Sequence, residues 1–90
     1  MTDLEFSLAV KEECEAIHKM LIEKNKSYGN SALDPIKCFS KLDPIETIKI
    51  RIDDKLSRLM RGSEYSGDDS VKDLIGYLIL LRISNKEKQK

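Results

Sequence analysis

The chain has 90 residues, 36 % of them charged, and its 16 basic and 16 acidic side chains cancel. A chain of that length makes one small domain that buries only roughly 60–65 % of its extended surface, so its own core is thin and a homo-oligomer is expected. With no net charge there is no long-range field to hold a duplex or an anionic bilayer, which excludes long nucleic acid and membrane surfaces as general partners and leaves small ligands met locally.

Apolar side chains recur at Phe6, Val10, Cys14, Ile17 and Leu21, at intervals of four, four, three and four. That period predicts a helix over about 4–24, with Asp3 as its N-cap. Glu12 and Glu15 lie one turn apart beside this stripe. Such a pair can grip a divalent cation, and it is equally an ordinary feature of a solvated helix face. His18 follows a core position without any companion, which fits a surface residue better than a catalytic base.

Gly29, Asn30, Ser31, Pro35 and the Asp43-Pro44 step break the pattern, so residues 25–43 are expected to be a loop. A loop that long in a small domain is usually functional or disordered. Around its glycine it carries Lys24, Lys26, Tyr28 and Asn30. A ring that stacks on a base, an amide that reads its edge and lysines that meet phosphate suit a nucleotide. A turn at Tyr28-Gly29-Asn30 with the ring folded onto the core would use the same residues structurally.

Asp43, Pro44 and Glu46 supply an N-cap acceptor, a first-turn proline and a first-turn acid, and Gly62 supplies a stop, so a second helix is expected over 44–61. Ile45, Ile48, Ile52, Leu56 and Leu59 form its apolar stripe. Arg51, Asp54, Lys55 and Arg58 share a neighbouring face, which reads either as a solvated edge laced with ion pairs or as a site for a metal and a phosphate. Arg58 and Arg61 also complement the negative end of the helix dipole.

Ser63 to Gly67 reads as a polar connection, and Asp68 or Asp69 can cap a third helix over about 70–83. Leu74, Ile75, Leu78, Ile79, Leu80, Leu81 and Ile83 coat much of its circumference, which predicts a helix buried in the middle of a bundle completed by a partner subunit. Asp69, Asp73 and Tyr77 interrupt that coat, and a carboxylate beside a core seam needs a counter-charge or a metal. Residues 86–90 read as a frayed charged tail. The fold class expected is therefore all-α, a small bundle of three main helices in a single domain.

Cys14 and Cys38 have no Cys-x-x-Cys spacing and no paired histidine, which points to free thiols in a reducing cytoplasm. The acids among the first twenty residues exclude a signal-peptide apolar region, and the longest apolar run, Tyr77 to Leu81, is too short to span a bilayer.

Three motifs occur in order: Lys24-Asn25-Lys26-Ser27-Tyr28-Gly29-Asn30, then Arg51-x-x-Asp54-Lys55-x-x-Arg58-Leu59, then Asp73-Leu74-Ile75-Gly76-Tyr77. Over roughly residues 20 to 83 the chain resembles the small nucleotide-modification-associated domain proteins common in phages, which are similar to the all-α nucleotide pyrophosphatases of the MazG and dUTPase type. The resemblance implies a multi-subunit helical bundle, magnesium held by helix carboxylates, and a nucleoside triphosphate cleaved between its α and β phosphates. By position it makes Asp54 and Asp73 metal ligands, with Glu12 and Glu15 as further acids. Arg51, Lys55 and Arg58 become phosphate or structural partners, and Lys26, Tyr28, Asn30 and Tyr77 fall to the substrate. The setting it implies is the cytoplasm, a host's if the protein is viral.

The pyrophosphatases usually carry a glutamate three residues before the third-helix aspartate, where this chain has Ser70, and Asp69 is off by one. A protein that sequesters an intact signalling nucleotide, linear or cyclic, needs the loop and the cations but no metal cage. Both readings predict nucleotide binding; a helical adaptor whose polar strips are intersubunit ion pairs predicts none.

Overall fold

The computed structural model describes residues 1–62 and 67–89. It contains three helices, α1 (Asp3–Ser27), α2 (Pro44–Arg61) and α3 (Ser70–Lys88), and no strand among the described residues. Most of the expected 63–67 connection, and Lys90 of the tail, lie outside the described residues.

Each helix starts where a side chain satisfies the free backbone N–H groups of the first turn. At α1 the cap is Thr2, one residue earlier than expected: its hydroxyl accepts from the Glu5 N–H at 3.1 Å while the Glu5 carboxylate accepts from the Thr2 N–H at 3.2 Å. This reciprocal box holds the Glu5 carboxyl below its ordinary value, through the side-chain and then the backbone hydrogen bond of Thr2. Asp43 caps α2 by accepting from the Ile45 N–H at 2.8 Å, and Asp69 caps α3 by accepting from the Lys72 N–H at 3.0 Å. Gly62 ends α2 at φ +66°, the left-handed conformation that glycine adopts without steric penalty.

Two helices run further than the sequence suggested. α1 continues to Ser27, and α3 absorbs most of the expected tail by extending to Lys88. Neither extension carries apolar periodicity; Lys, Glu and Asn continue the existing hydrogen-bond ladders, and lysines in the last turns suit the helix dipole.

α3 is the central element, with α2 packed along it and α1 touching it over a shorter stretch. The buried apolar residues are Ile17 of α1 and Ile45 and Ile48 of α2. The α3 positions buried with them are Ser70, Gly76 and Ser84. Small residues at these points let the neighbouring helices approach closely, while the large side chains expected to be fully buried are split. Leu74, Leu80 and Leu81 are half-buried, and Ile75, Leu78, Ile79 and Ile83 are exposed in the single chain.

The expected α2 stripe is also rotated. Ile45 and Ile48 are buried and Ile52 is half-buried, but Leu56 and Leu59 are exposed, because the packed seam passes through Lys55 instead. On α1 the stripe is buried only at its lower end; Phe6, Val10 and Cys14 are exposed, as is His18.

Gly76 fixes the distance between α1 and α3. A Cβ built there would stand 2.9 Å from Met20 Cε and 3.2 Å from Leu21 Cδ2. Gly76→Ala is expected to be nearly neutral, since the Met20 terminus can swing aside and the helix propensity gained, about 1 kcal/mol, offsets a small movement of Leu21. Gly76→Leu has no such escape and should separate α1 from α3, lowering the thermal midpoint well below that of Gly76→Ala. Equal melting of the two variants in circular dichroism would show that the helices do not meet here.

Candidate functional site

The close approach at Gly76 leaves a cleft of about 450 Å³ between the three helices, within the range typical of small-molecule sites. Its floor is apolar, from Met20 and Leu21 of α1, Ile48 of α2 and Leu80 of α3. Its rim is polar. The last turn of α1 presents Lys24 and Asn25, the turn that follows presents Tyr28, the first half of α2 presents Thr47 and Arg51, and α3 presents Asp73 and Tyr77.

Local geometry explains each placement. Lys24 lies three residues after Leu21 and seven after Ile17, so it continues the packed arc of α1 to the cleft. Tyr28 caps α1, its N–H donating to the Lys24 carbonyl at 2.9 Å, and its side chain is left 64 % exposed at the mouth. Thr47 and Arg51 are four apart on α2 and therefore stacked on one face. Asp73 and Tyr77 repeat that relation on α3.

Asp73 is the electrostatic hub. Its Oδ1 accepts from Lys24 Nζ at 3.1 Å and its Oδ2 meets Lys55 Nζ at 3.1 Å, so one carboxylate ties the last turns of α1 and the second half of α2 to α3. The Asp73 and Lys55 side chains are only 14 % and 13 % exposed, whereas Lys24 is 45 % exposed. Burial pushes the Asp73 carboxyl up, but the hydrogen bonds from Lys55 and then Lys24 outweigh it and hold the group below its ordinary value. The seam carboxylate has thus taken counter-charges.

Arg51 differs from these lysines. Among the described residues its guanidinium makes no ion pair or hydrogen bond, which leaves five donors facing the cleft and solvent. With Lys24 it gives the rim two cations against one carboxylate. The cleft is locally positive in a molecule that is neutral overall.

Of the residues singled out from sequence, Tyr28, Arg51, Asp73 and Tyr77 come together in the cleft lining. Lys55 stands behind it, engaged with Asp73. Arg58 pairs with Asp68 at 3.2 Å, away from the lining. Lys26 is exposed outside it. Asn30 adopts φ +63° and donates its N–H to the Asn25 carbonyl at 3.1 Å, shaping the turn rather than lining the cleft. Lys24, one of the lysines expected to meet phosphate, also lines the cleft, and so do Asn25 and Thr47, to which no role was assigned above. The register of Lys24 with Ile17 and Leu21 directs it there, and Thr47 was recoverable from its four-residue spacing to Arg51.

The four acids expected to hold magnesium do not converge. Glu12 and Glu15 are exposed on α1, about 18 and 14 Å along the helix from Lys24, and Glu15 lies 4.0 Å from Lys11. Asp54 is exposed, turned about 100° from Lys55 around α2. Among the described residues no three histidine, cysteine, aspartate or glutamate side chains group where they could share an ion. Among the described residues the acids of one chain form no such group.

Fold and site together define an all-α chain of three helices around a positively charged, tyrosine-edged cleft. No protein-family model matches the chain, and no curated protein or solved structure matches it either. No helix among the described residues is long and apolar enough to cross a membrane.

Proposed function

We propose that the cleft binds a nucleotide, with the base against Tyr28 or Tyr77 and the phosphates at Arg51 and Lys24. The observation that carries this reading is the meeting of two tyrosine rings and two cations over an apolar floor, one of those cations without an ion-pair or hydrogen-bond partner among the described residues. A ring stacks on any base, an apolar floor accepts its edge, and a guanidinium meets phosphate in a bidentate manner. Asn25 and Thr47 supply amide and hydroxyl groups for the base or sugar. The order of the three motifs and their resemblance to nucleotide-handling phage domains support the same ligand class.

Capture of an intact nucleotide is favoured over cleavage by one specific observation: both oxygens of Asp73, the acid in the cleft, are held by lysines. Lys24 can meet an incoming phosphate while keeping Asp73 as its second partner.

The test mixes the protein with nucleoside triphosphates and cyclic dinucleotides, with and without magnesium, and follows them by chromatography before and after heat denaturation. The expected result is a nucleotide that leaves solution and returns intact on denaturation. Arg51→Ala is expected to weaken that capture about tenfold or more, equivalent to about 1.4 kcal/mol. Monophosphate and pyrophosphate appearing only with magnesium would make the protein a pyrophosphohydrolase instead. No depletion of any nucleotide would remove the reading altogether.

A further inference from the structure

On two helices an apolar stripe is left uncovered by the described residues. On α1, Phe6 and Val10 occupy the same arc as the buried Ile17, yet they are 61 % and 45 % exposed. The whole first half of the helix lies beyond its contact with α3. On α3, Val71, Ile75 and Leu78 recur at four and three residues on the side opposite Asp73 and Leu80, and each is at least 40 % exposed. An amphipathic helix draws most of its stability from packing its apolar face, so a long α1 whose stripe continues into solvent is an incomplete element.

The surface of the molecule is large for its mass. The chain exposes 7229 Å² for a mass of 10.3 kDa. A compact folded chain of that mass exposes roughly 5,400 Å², which leaves an excess on the order of 1,800 Å². Its radius of gyration is 15.1 Å, where a compact chain of this length has about 12 Å. An excess of this size matches the share that one subunit contributes to an obligate homodimer, roughly 1,000–2,500 Å², and is more than twice the roughly 800 Å² per partner of a standard interface.

We propose that a second copy of this chain covers both surfaces, packing against the first half of α1 and the outer face of α3 in a two-fold dimer. An isologous interface uses the same patches on both subunits, so one operation buries the α1 and α3 stripes of each. Zero net charge means that two copies meet without long-range repulsion. Neither stripe lines the cleft, so the dimer stands independently of any nucleotide.

The two cysteines give the interface an internal reporter. Cys14 lies on the α1 stripe between Val10 and Ile17, and Cys38 lies in the loop; both thiols are exposed in the single chain. Sedimentation equilibrium of the full chain should give twice the chain mass, and a maleimide should label Cys38 several-fold faster than Cys14. Phe6→Glu combined with Val10→Glu alters side chains exposed in the single chain and should shift the mass to one chain and equalise the two labelling rates. Ile36→Glu, in the loop and 87 % exposed, should leave the mass unchanged. A folded wild type of single-chain mass would overturn the proposal, as would a dimer in which Cys14 reacts as fast as Cys38. A Phe6→Glu, Val10→Glu chain that keeps the double mass would also overturn it.

Discussion

Ile48→Ala is expected to destabilise the protein by about 2–4 kcal/mol, the range for removing a fully packed aliphatic side chain. Ile48 is 2 % exposed and is one of three buried apolar residues among those described, so little surrounding mass can relax into the space. A domain of this size has a total stability of roughly 5–13 kcal/mol, so the loss is a large fraction of the whole. Ile48 also forms part of the cleft floor, and the same truncation should lower nucleotide capture along with stability. Urea unfolding of the two proteins checks the first effect; an unchanged midpoint would mean that α2 does not pack as described.

The second large effect is expected at Asp73. Asp73→Asn keeps the shape but leaves Lys55, 13 % exposed, beside a neutral amide. Breaking a fully buried pair costs about 3–5 kcal/mol and an exposed one under about 1, and this pair lies between, so a loss of about 2–3 kcal/mol is expected. Lys24 adds little to that figure because it is nearly half exposed. Since the folded carboxyl titrates below its unfolded value, the stability it confers is complete above the unfolded value of about pH 4 and falls away as the pH drops through the depressed folded value. The acid limb of a stability-against-pH curve should therefore flatten in Asp73→Asn. A double-mutant cycle with Lys55→Met isolates the pair, and strictly additive losses would rule the contact out.

Much of the scaffold is legible in the chain because its signals are local. Asp43-Pro44 and Gly62 define α2 at both ends, and each acts through its own backbone conformation without help from the rest of the molecule. Thr2 and Glu5 carry an equally local signature that was read one residue late, at Asp3. What stayed hidden depends on how the helices cross. Periodicity places Lys55 beside the α2 stripe and Asp73 within the α3 coat, but their meeting is fixed by the approach of α2 to α3. The same limit applies to Phe6 and Leu78. Spacing shows that a residue belongs to an apolar face, not whether a single chain covers that face. Lys24 at the expected end of α1 and Lys26 in the expected loop both read as cations for phosphate, and only the extension of α1 to Ser27 gives them different directions.

The contact at Gly76 also makes α1 a lever. Leu21 is the fulcrum, with Tyr28 at the cleft mouth about 10 Å to one side and Phe6 about 22 Å to the other. A rigid tilt about that point that moves Tyr28 toward the cleft carries Phe6 roughly twice as far in the opposite direction. The small residue that lets two helices touch thus sets a mechanical ratio between the cleft end of the molecule and its far tip.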